Sequence, residues 1–419
     1  MAAASEIDVS SISARREYLA SLRAEAAARQ CVGSGIAISE WYSDQLDDLL
    51  RVMLSRHIDA AGIPHGAAWC LAAVGGNGRR RPAPYSDLDL LMVAGPRLQK
   101  RVEPVLSDFV RDCWDTGFQL GHSIRTPDDV AAFAAEDLPF ATSLVSMRLL
   151  LGNAGFFAQL QDTVQRRVFS GPTDRFVSSC VAARRSEWLA RGDSVNQLEP
   201  DVKRSPGGLR DLHLLSWVAF AQFGRSDPEV LLEHNAISRD ELDALRNADE
   251  FLTDLRLSLH CRSKLKQDVL SRELQLAIAR DAFRRNQGEA SEPATYGTGD
   301  GGKPAAGPNG ARRIVEGFMQ DYFRHTSRVA EIARRVAEVE QRPTLLSRIR
   351  NVILSPRDLD GFTIIEQTLN ADDSYGESLS KNPEEVMRAF VTAARHGVGL
   401  SADLRMLISS VVPRLPADP

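Results

Sequence analysis

The stretch that decides the fold is GGNGRRRPAPYSDLDL, residues 75–90, in which a glycine pair is followed by two aspartates with one residue between them. An apolar run precedes it, a basic and proline-rich loop lies within it, and a second apolar run follows, so we predict a strand, a loop and a strand. Side chains alternate between the faces of a strand, which places Asp87 and Asp89 on one side. Two anionic oxygen donors at one spot suit a Mg²⁺ ion that bridges substrate phosphates.

The rest of this stretch is suited to a triphosphate. Gly75 and Gly76 end the first strand, and without a Cβ they let backbone N–H groups approach phosphate oxygens. Ser86 offers a hydroxyl and Arg79 a positive charge, whereas the two arginines after Arg79 are as readily explained as solvated. A lone aspartate pair or a lone glycine pair is typical of an ordinary loop. Their conjunction in this order indicates a nucleotidyltransferase-type metal site.

Composition and charge narrow the classes of partner. The chain has 419 residues with 51 Lys and Arg against 56 Asp and Glu, a net charge of −5, so no overall field draws it to nucleic acid or to an anionic membrane. The five cysteines form no CxxC pair. No stretch of about 18 apolar residues occurs. We expect a cytoplasmic protein with reduced thiols and with neither a membrane nor a nucleic-acid partner.

Apolar residues at helical spacing dominate after the first third of the chain, and one long helical stretch covers 238–283. We predict an α+β fold, in which a small mixed-sheet nucleotidyltransferase core packs against a helical bundle with the nucleotide in the cleft between them. Strands are expected only in the first third. The segment 286–310, rich in Gly and Pro, is predicted to be a disordered insertion.

Four domains are predicted: an N-terminal helical segment, the core, a helical domain and a C-terminal helical part, at residues 1–62, 63–155, 156–340 and 341–419. The last contains a helix that begins after Asn382. Its buried face is expected to hold Val386, Met387, Phe390 and Val391.

A second motif, EPDVKRSPGGLRD, occupies residues 199–211 and has two interpretations. In the first, Gly207 and Gly208 begin a helix whose free N–H groups face an anion, and Lys203, Arg204 and Arg210 add positive charge. In the second, the motif is a tight interdomain turn whose Arg-Asp pair is structural. Glu199 and Asp201 fit either interpretation.

The string GGNGRRRPAPYSDLDLLMV resembles the active-site signature of the DNA polymerase β-type nucleotidyltransferases, and most closely the branch that contains the protein-PII uridylyltransferases. Residues 196–219 resemble the EPxxKxxPGGLRD segment of that family, and the likeness extends over about 69–399. The resemblance implies transfer of UMP from UTP to a tyrosine hydroxyl of a PII-type signalling protein, with release of pyrophosphate, in nitrogen regulation. It also implies Mg²⁺ on Asp87 and Asp89.

The nucleotide-binding residues implied by both motifs together are Gly75, Gly76, Arg79, Ser86, Lys203, Gly207, Gly208 and Arg210.

Two departures from the family pattern matter. None of the eight histidines is followed by Asp, so the HD hydrolase motif is not expected and we predict no uridylyl-removing activity. The ACT sensor domains are not expected in a chain of this length. The superfamily also supplies a third carboxylate from a later strand, but here GFQLGHSIRT offers His122 and Ser123.

Asp137, beside Glu136, is the candidate for the third catalytic carboxylate. Ser146 stands where an acid is expected. An alternative function is therefore a nucleotide-binding regulatory paralogue with impaired catalysis. The preference for UTP over ATP stays open.

Overall fold

The computed structural model describes residues 10–30, 33–169, 173–286 and 308–339, and parts of 361–408. The chain forms two compact units, Met1–Arg334 and Arg335–Pro419. The predicted fold class, a small mixed sheet with a mainly helical remainder, is confirmed. Most of the predicted insertion at 286–310 lies outside the described residues.

A four-stranded sheet forms the centre of the first unit, in the order β3-β2-β1-β4. Its strands are β1 (Trp69–Ala73), β2 (Leu88–Ala94), β3 (Leu120–Arg125) and β4 (Arg148–Gly152). β1 runs antiparallel to β2 and β4, and β2 runs parallel to β3. β1 is buried along its whole length, which explains its unbroken apolar run. In the β2–β3 register Asp89 lies opposite Gly121.

Six helices accompany this sheet. They are α1 (Ile12–Arg29), α2 (Gly35–Ala60), α3 (Gly75–Gly78), α4 (Pro96–Thr116), α5 (Pro127–Glu136) and α6 (Leu138–Leu144). The Ser11 and Ser34 side chains cap α1 and α2 by accepting hydrogen bonds from backbone N–H groups. α4 begins with proline and ends at Gly117 in the left-handed region. Apolar residues of α1, α2 and α4 share one core with the sheet.

Helices make up the rest of the first unit. They are α7 (Ala154–Val164), a π-helical turn (Gln165–Phe169), α8 (Thr173–Ala190), α9 (Leu209–Phe223), α10 (Glu229–Glu233), α11 (Arg239–Ser263), α12 (Arg272–Asn286) and α13 (Pro308–Val339). The predicted helical stretch over 238–283 is interrupted, because Lys264 adopts a left-handed conformation with φ +52° and ends α11. Residues 264–271 form a loop that lies beside the candidate site.

Helix α11 is attached to the N-terminal helices by Glu250. Its carboxylate accepts hydrogen bonds from the Ser34 hydroxyl at 2.8 Å and from the Gly35 N–H at 2.5 Å. A Cβ at Gly35 would lie 2.5 Å from the backbone nitrogen of Asp254, so this close approach requires glycine. The predicted segments 1–62, 63–155 and most of 156–340 accordingly lie in one compact unit.

The second unit contains a three-stranded sheet and a helix, so strands are not confined to the first third of the chain. Its elements are β5 (Phe362–Ile365), β6 (Thr368–Ala371), α14 (Glu384–His396) and β7 (Gly399–Leu400), with strand order β5-β6-β7.

The buried face of α14 was also predicted in part wrongly. Val386 is buried, but Met387, Phe390 and Val391 are exposed. The small residues Ala389 and Ala393 share the packed face instead, since they recur with Val386 at helical spacing.

None of the helices that the structure describes is long and apolar enough to cross a lipid bilayer.

Candidate active site

A cavity of about 590 Å³ lies between the sheet and the helical part of the first unit, where the cleft was predicted. The structure brings all but two of the predicted site residues to its wall. Those lining it are Gly75, Gly76, Arg79, Ser86, Asp87, Asp89, Asp137, Lys203 and Arg210. The two outside the lining are Gly207 and Gly208.

The carboxylate of Asp89 is held between two glycines. A Cβ at Gly75, where φ is +56°, would lie 2.8 Å from Asp89 Oδ2, and one at Gly121 would lie 2.7 Å from Oδ1. Burial raises the pKa of Asp89, Lys203 opposes that shift, and the charge of Asp87 adds to it. A cation beside this pair would therefore relieve an unfavourable charge.

Asp87 immediately precedes β2, and its Oδ2 lies 2.5 Å from the ammonium of Lys266. Two carboxylates with room for water and phosphate oxygens are the donor set that Mg²⁺ takes when it binds with a nucleotide. Asp87 and Asp89 therefore fit that ion. Within the described ranges, no group of three or more His, Cys, Asp or Glu side chains could hold a metal.

Basic side chains also line the cavity. They include Arg79, Lys203, Arg210, Arg256 and Lys266. Burial, together with the nearby cations Arg210 and Arg256, lowers the pKa of Arg79 to about 10. Burial and Arg256 lower the pKa of Lys203 to about 8.

The hydrogen-bonding groups of Arg79 are not all satisfied by the protein. The buried Nε of Arg79 has no hydrogen-bond partner among the residues that the structure describes. Clustered cations that lower one another's pKa values create a positive potential, and an anionic ligand would stabilise it.

The segment that carries Lys203 pairs with the loop that carries Lys266. Asp201 and Val269 form an antiparallel bridge, and the Val202 N–H donates to the Asp268 carbonyl at 2.8 Å. Asp201 also accepts from the backbone N–H of Lys203 at 3.0 Å. We call residues 199–205 with 266–272 the brace. Glu199 belongs to it, accepting from the Arg272 N–H at 2.9 Å, so Glu199 and Asp201 are structural.

The prediction that the Pro-Gly-Gly turn offers free N–H groups to an anion is wrong. The Gly207 N–H donates to Asp211 Oδ2 at 2.6 Å, and the Gly208 N–H donates to the Ser205 carbonyl at 2.9 Å. The backbone N–H of Arg210 donates to the Lys203 carbonyl at 2.8 Å. Gly207 has φ +77°, and a Cβ there would overlap the backbone oxygen of Thr326. Both glycines serve close packing.

The ion pair of this motif is structural, but its arginine comes from α8. Buried Asp211 accepts from Arg184 Nε at 2.5 Å and from Trp188 Nε1 at 3.1 Å. Arg210 lines the cavity instead, and its guanidinium lies 5.5 Å from the ring centre of Trp217. The turn interpretation therefore holds for the glycines and Asp211, while ligand binding by Lys203 and Arg210 stays a prediction.

The loop between β1 and β2 is fastened to α2. Arg80 pairs with Asp44 at 2.5 Å and Arg81 pairs with Glu40 at 2.8 Å, so these two arginines are not simply solvated. The Ser86 hydroxyl donates to a loop carbonyl at 2.8 Å, which holds the chain just before Asp87.

Asp137 lies on the cavity wall and caps α6. Its Oδ1 accepts from the Phe140 N–H at 2.7 Å. On β3, Ser123 lies opposite Leu91, two positions beyond the pair of Gly121 and Asp89. β3 contains no Asp or Glu, so no carboxylate faces the aspartate pair from this strand. His122 packs its ring against Trp114 at 5.7 Å. The third carboxylate role of Asp137 stays a prediction.

Sequence reasoning missed charged residues of the cavity, among them Asp249, Arg256 and Lys266. These three belong to the region 238–283, which was predicted to be helical. Burial raises the pKa of Asp249, and Arg81 opposes that shift. Arg256 donates to Asp268 at 2.7 Å. The αL residue at 264 is a lysine, so no glycine or proline marked the break.

Residues 176–337 match the family model described as GlnD PII-uridylyltransferase. This region belongs to the PII-uridylyltransferase family. The second motif lies inside the matched region, so the resemblance seen in it is confirmed.

Similar proteins extend the likeness beyond the family region to most of the chain. A bifunctional uridylyltransferase/uridylyl-removing enzyme of Azospirillum brasilense is 29% identical over 415 residues, covering 97% of this chain and 42% of the relative. The enzyme of that name from Rhodospirillum rubrum is 28% identical over 388 residues, 91% of this chain and 39% of the relative. The enzyme of that name from Hydrogenovibrio crunogenus is 31% identical over 332 residues, covering 77% of this chain and 33% of the relative. The chain spans less than half the length of each of these uridylyltransferases.

Proposed function

We propose that this chain is a Mg²⁺-dependent nucleotidyltransferase that transfers UMP from UTP to a tyrosine hydroxyl of a PII-type signalling protein, in nitrogen regulation. The observation that carries the proposal is that Asp87 and Asp89 line one cavity together with basic side chains, among them Arg79, Lys203 and Arg210. Carboxylates suit the metal, and the cations suit the triphosphate.

In the proposed reaction the tyrosine oxygen forms a bond to the α-phosphorus, and the bond from that phosphorus to the bridging oxygen of the β-phosphate breaks. Pyrophosphate leaves with the electron pair. Lys203 and Arg210 stabilise its charge, and Asp137 is the candidate acceptor of the phenolic proton. Bound Mg²⁺ supplies further charge neutralisation at the phosphates.

A second candidate function is a regulatory module that binds the nucleotide without transferring it. It is favoured by the metal donor set, since the described residues provide two carboxylates and no group of three. Ser123 and Ser146 provide no acid on β3 or after α6.

The two functions are separated by incubating the chain with UTP, Mg²⁺ and a PII-type protein and measuring the intact mass of the acceptor. The first predicts addition of one UMP, and loss of that addition in Asp87→Asn and Asp89→Asn. Asp108→Asn, which alters an exposed pair with Arg111 on α4, is the control. Full activity of Asp89→Asn would show that the metal assignment is wrong.

UTP binding in calorimetry, without transfer to any acceptor, would support the second function. Replacing UTP with ATP measures the base preference. The expectation that this chain does not remove UMP stays a prediction. It is measured by incubating the modified acceptor with the chain in the absence of UTP.

A further inference from the structure

Lys266 forms an ion pair with Asp87, one of the two carboxylates that the proposed function assigns to the metal. Its ammonium lies 2.5 Å from Asp87 Oδ2, although the two residues are 179 positions apart in the chain. The side chains are 45% and 40% exposed, so solvent and ligands can reach the pair.

The backbone around Lys266 is anchored on two sides. Asp268 accepts from Arg256 Nε at 2.7 Å and lies 3.2 Å from His260 Nε2, which ties the loop to α11. The Asp268 carbonyl accepts from the Val202 N–H at 2.8 Å, which ties the loop to the segment that carries Lys203. The brace therefore positions Lys266 beside Asp87. The four rotatable bonds of the lysine side chain still allow its ammonium to move.

A divalent cation bound to either oxygen of Asp87 would lie close to the ammonium on Oδ2, and the repulsion between the two positive charges would drive the ammonium away. A displaced ammonium on an anchored loop stays inside a cavity whose other cations face the expected triphosphate. Phosphate oxygens are the anionic partners that arrive together with the metal.

We infer that Lys266 neutralises Asp87 in the resting chain and moves to the phosphates of the incoming nucleotide, which makes it a positioning residue that couples metal binding to nucleotide binding. The inference rests on the proposed function. Metal alone must compete with Lys266 and binds weakly. Metal with nucleotide gives Lys266 a new partner, so each ligand strengthens the binding of the other.

Substitution Lys266→Gln is expected to change two affinities in opposite directions. It removes a competitor for Asp87, and half-exposed ion pairs of this kind change equilibria by about two- to fivefold, so Mn²⁺ alone should bind about two- to fivefold more tightly. It also removes a charged contact to phosphate, so UTP with Mg²⁺ should bind about tenfold more weakly. A purely structural role of Lys266 would not tighten either affinity.

The experiment measures Mn²⁺ binding by the electron paramagnetic resonance signal of free Mn²⁺, and UTP binding by calorimetry with Mg²⁺, on the full chain without an acceptor. Lys264→Gln, in the same loop and exposed, is the matched control and should leave both affinities unchanged. Unchanged or weaker Mn²⁺ binding in Lys266→Gln would overturn the inference.

The failure of the inference is distinguishable from that of the proposed function. If the wild-type chain transfers UMP and Lys266→Gln binds both ligands as the wild type does, only the inference fails. If Asp89→Asn binds Mn²⁺ as the wild type does and no acceptor is modified, the proposed function fails, and the inference that rests on it fails too.

Discussion

Gly121→Ala is expected to slow UMP transfer, because it moves the carboxylate of Asp89 without changing the chemistry of that group. The added Cβ would lie 2.7 Å from Asp89 Oδ1, whereas ordinary van der Waals contact begins at 3.4 Å. The carboxylate must therefore shift by about 0.7 Å toward the side on which Gly75 already approaches it. The backbone at Gly121 is not in the left-handed region, so alanine introduces no strain of its own.

The size of the effect follows from that displacement. Misplacing a reacting group by about 1 Å can cost about 100-fold in rate, so a shift of about 0.7 Å should lower kcat by about 10- to 100-fold. Overpacking of a single methyl group at this partly accessible position should cost about 1 kcal/mol of stability. The loss of activity should thus greatly exceed the loss of folded protein at 25 °C.

The assay combines steady-state UMP transfer, in the presence of Mg²⁺, with thermal unfolding followed by circular dichroism. Gly66→Ala is the matched control, because a Cβ there would meet no atom within 4 Å and the residue lies outside the cavity lining. It should leave kcat and Tm unchanged. A Gly121→Ala variant with wild-type kcat would refute the assignment of Asp89 as a group whose position limits the reaction.

Three further outcomes follow from the site. Gly76→Ala adds a Cβ into open space, so Tm should stay constant. Because the backbone of Gly76 is expected to approach the phosphates, KM for UTP should rise severalfold, and an unchanged KM would place the triphosphate elsewhere. Neighbouring residues 210 and 211 should behave oppositely. Asp211→Ala removes the acceptor of the buried Arg184 Nε, leaving Glu187 as the charged partner of Arg184, and should cost about 3 to 5 kcal/mol in denaturant unfolding. Arg210→Gln should keep that stability and raise KM for UTP about tenfold. Lys203, with its pKa lowered to about 8, is charged below that pH and loses its proton above it, so KM for UTP should rise above pH 8 in the wild type. If a Lys203→Arg variant shows the same rise, Lys203 is not its cause, because arginine stays charged in this range.

The centre of the site could be predicted because its signals are local. Asp87 and Asp89 stand one residue apart at the start of a buried strand, and strand periodicity alone places both near one face. The glycine pair was predicted on similar grounds, although the structure adds that Gly75 also makes room for the Asp89 carboxylate. These are properties of short segments, which a sequence displays directly.

The rest of the cavity depends on pairing between distant segments. Residues 264–271 contain no glycine or proline, and their departure from helix is accompanied by hydrogen bonds to residues 200–202 that a single sequence does not display. Lys266 and Asp268 were consequently overlooked. The glycines of the second motif were misassigned for a related reason, since Thr326, which limits the space at Gly207, lies far away in the chain.

The separation of 179 residues between Asp87 and Lys266 also affects how the protein is made. A ribosome adds about 5 to 20 residues per second, so the acidic pair is synthesised about 10 to 40 s before the lysine that neutralises part of it. During that interval the nascent sheet carries two neighbouring carboxylates without Arg256 or Lys266. Arg79, which precedes the pair in the chain, is then the protein's own cation beside Asp89, and Lys266 can reach Asp87 only after α11 and the loop beyond it have been translated.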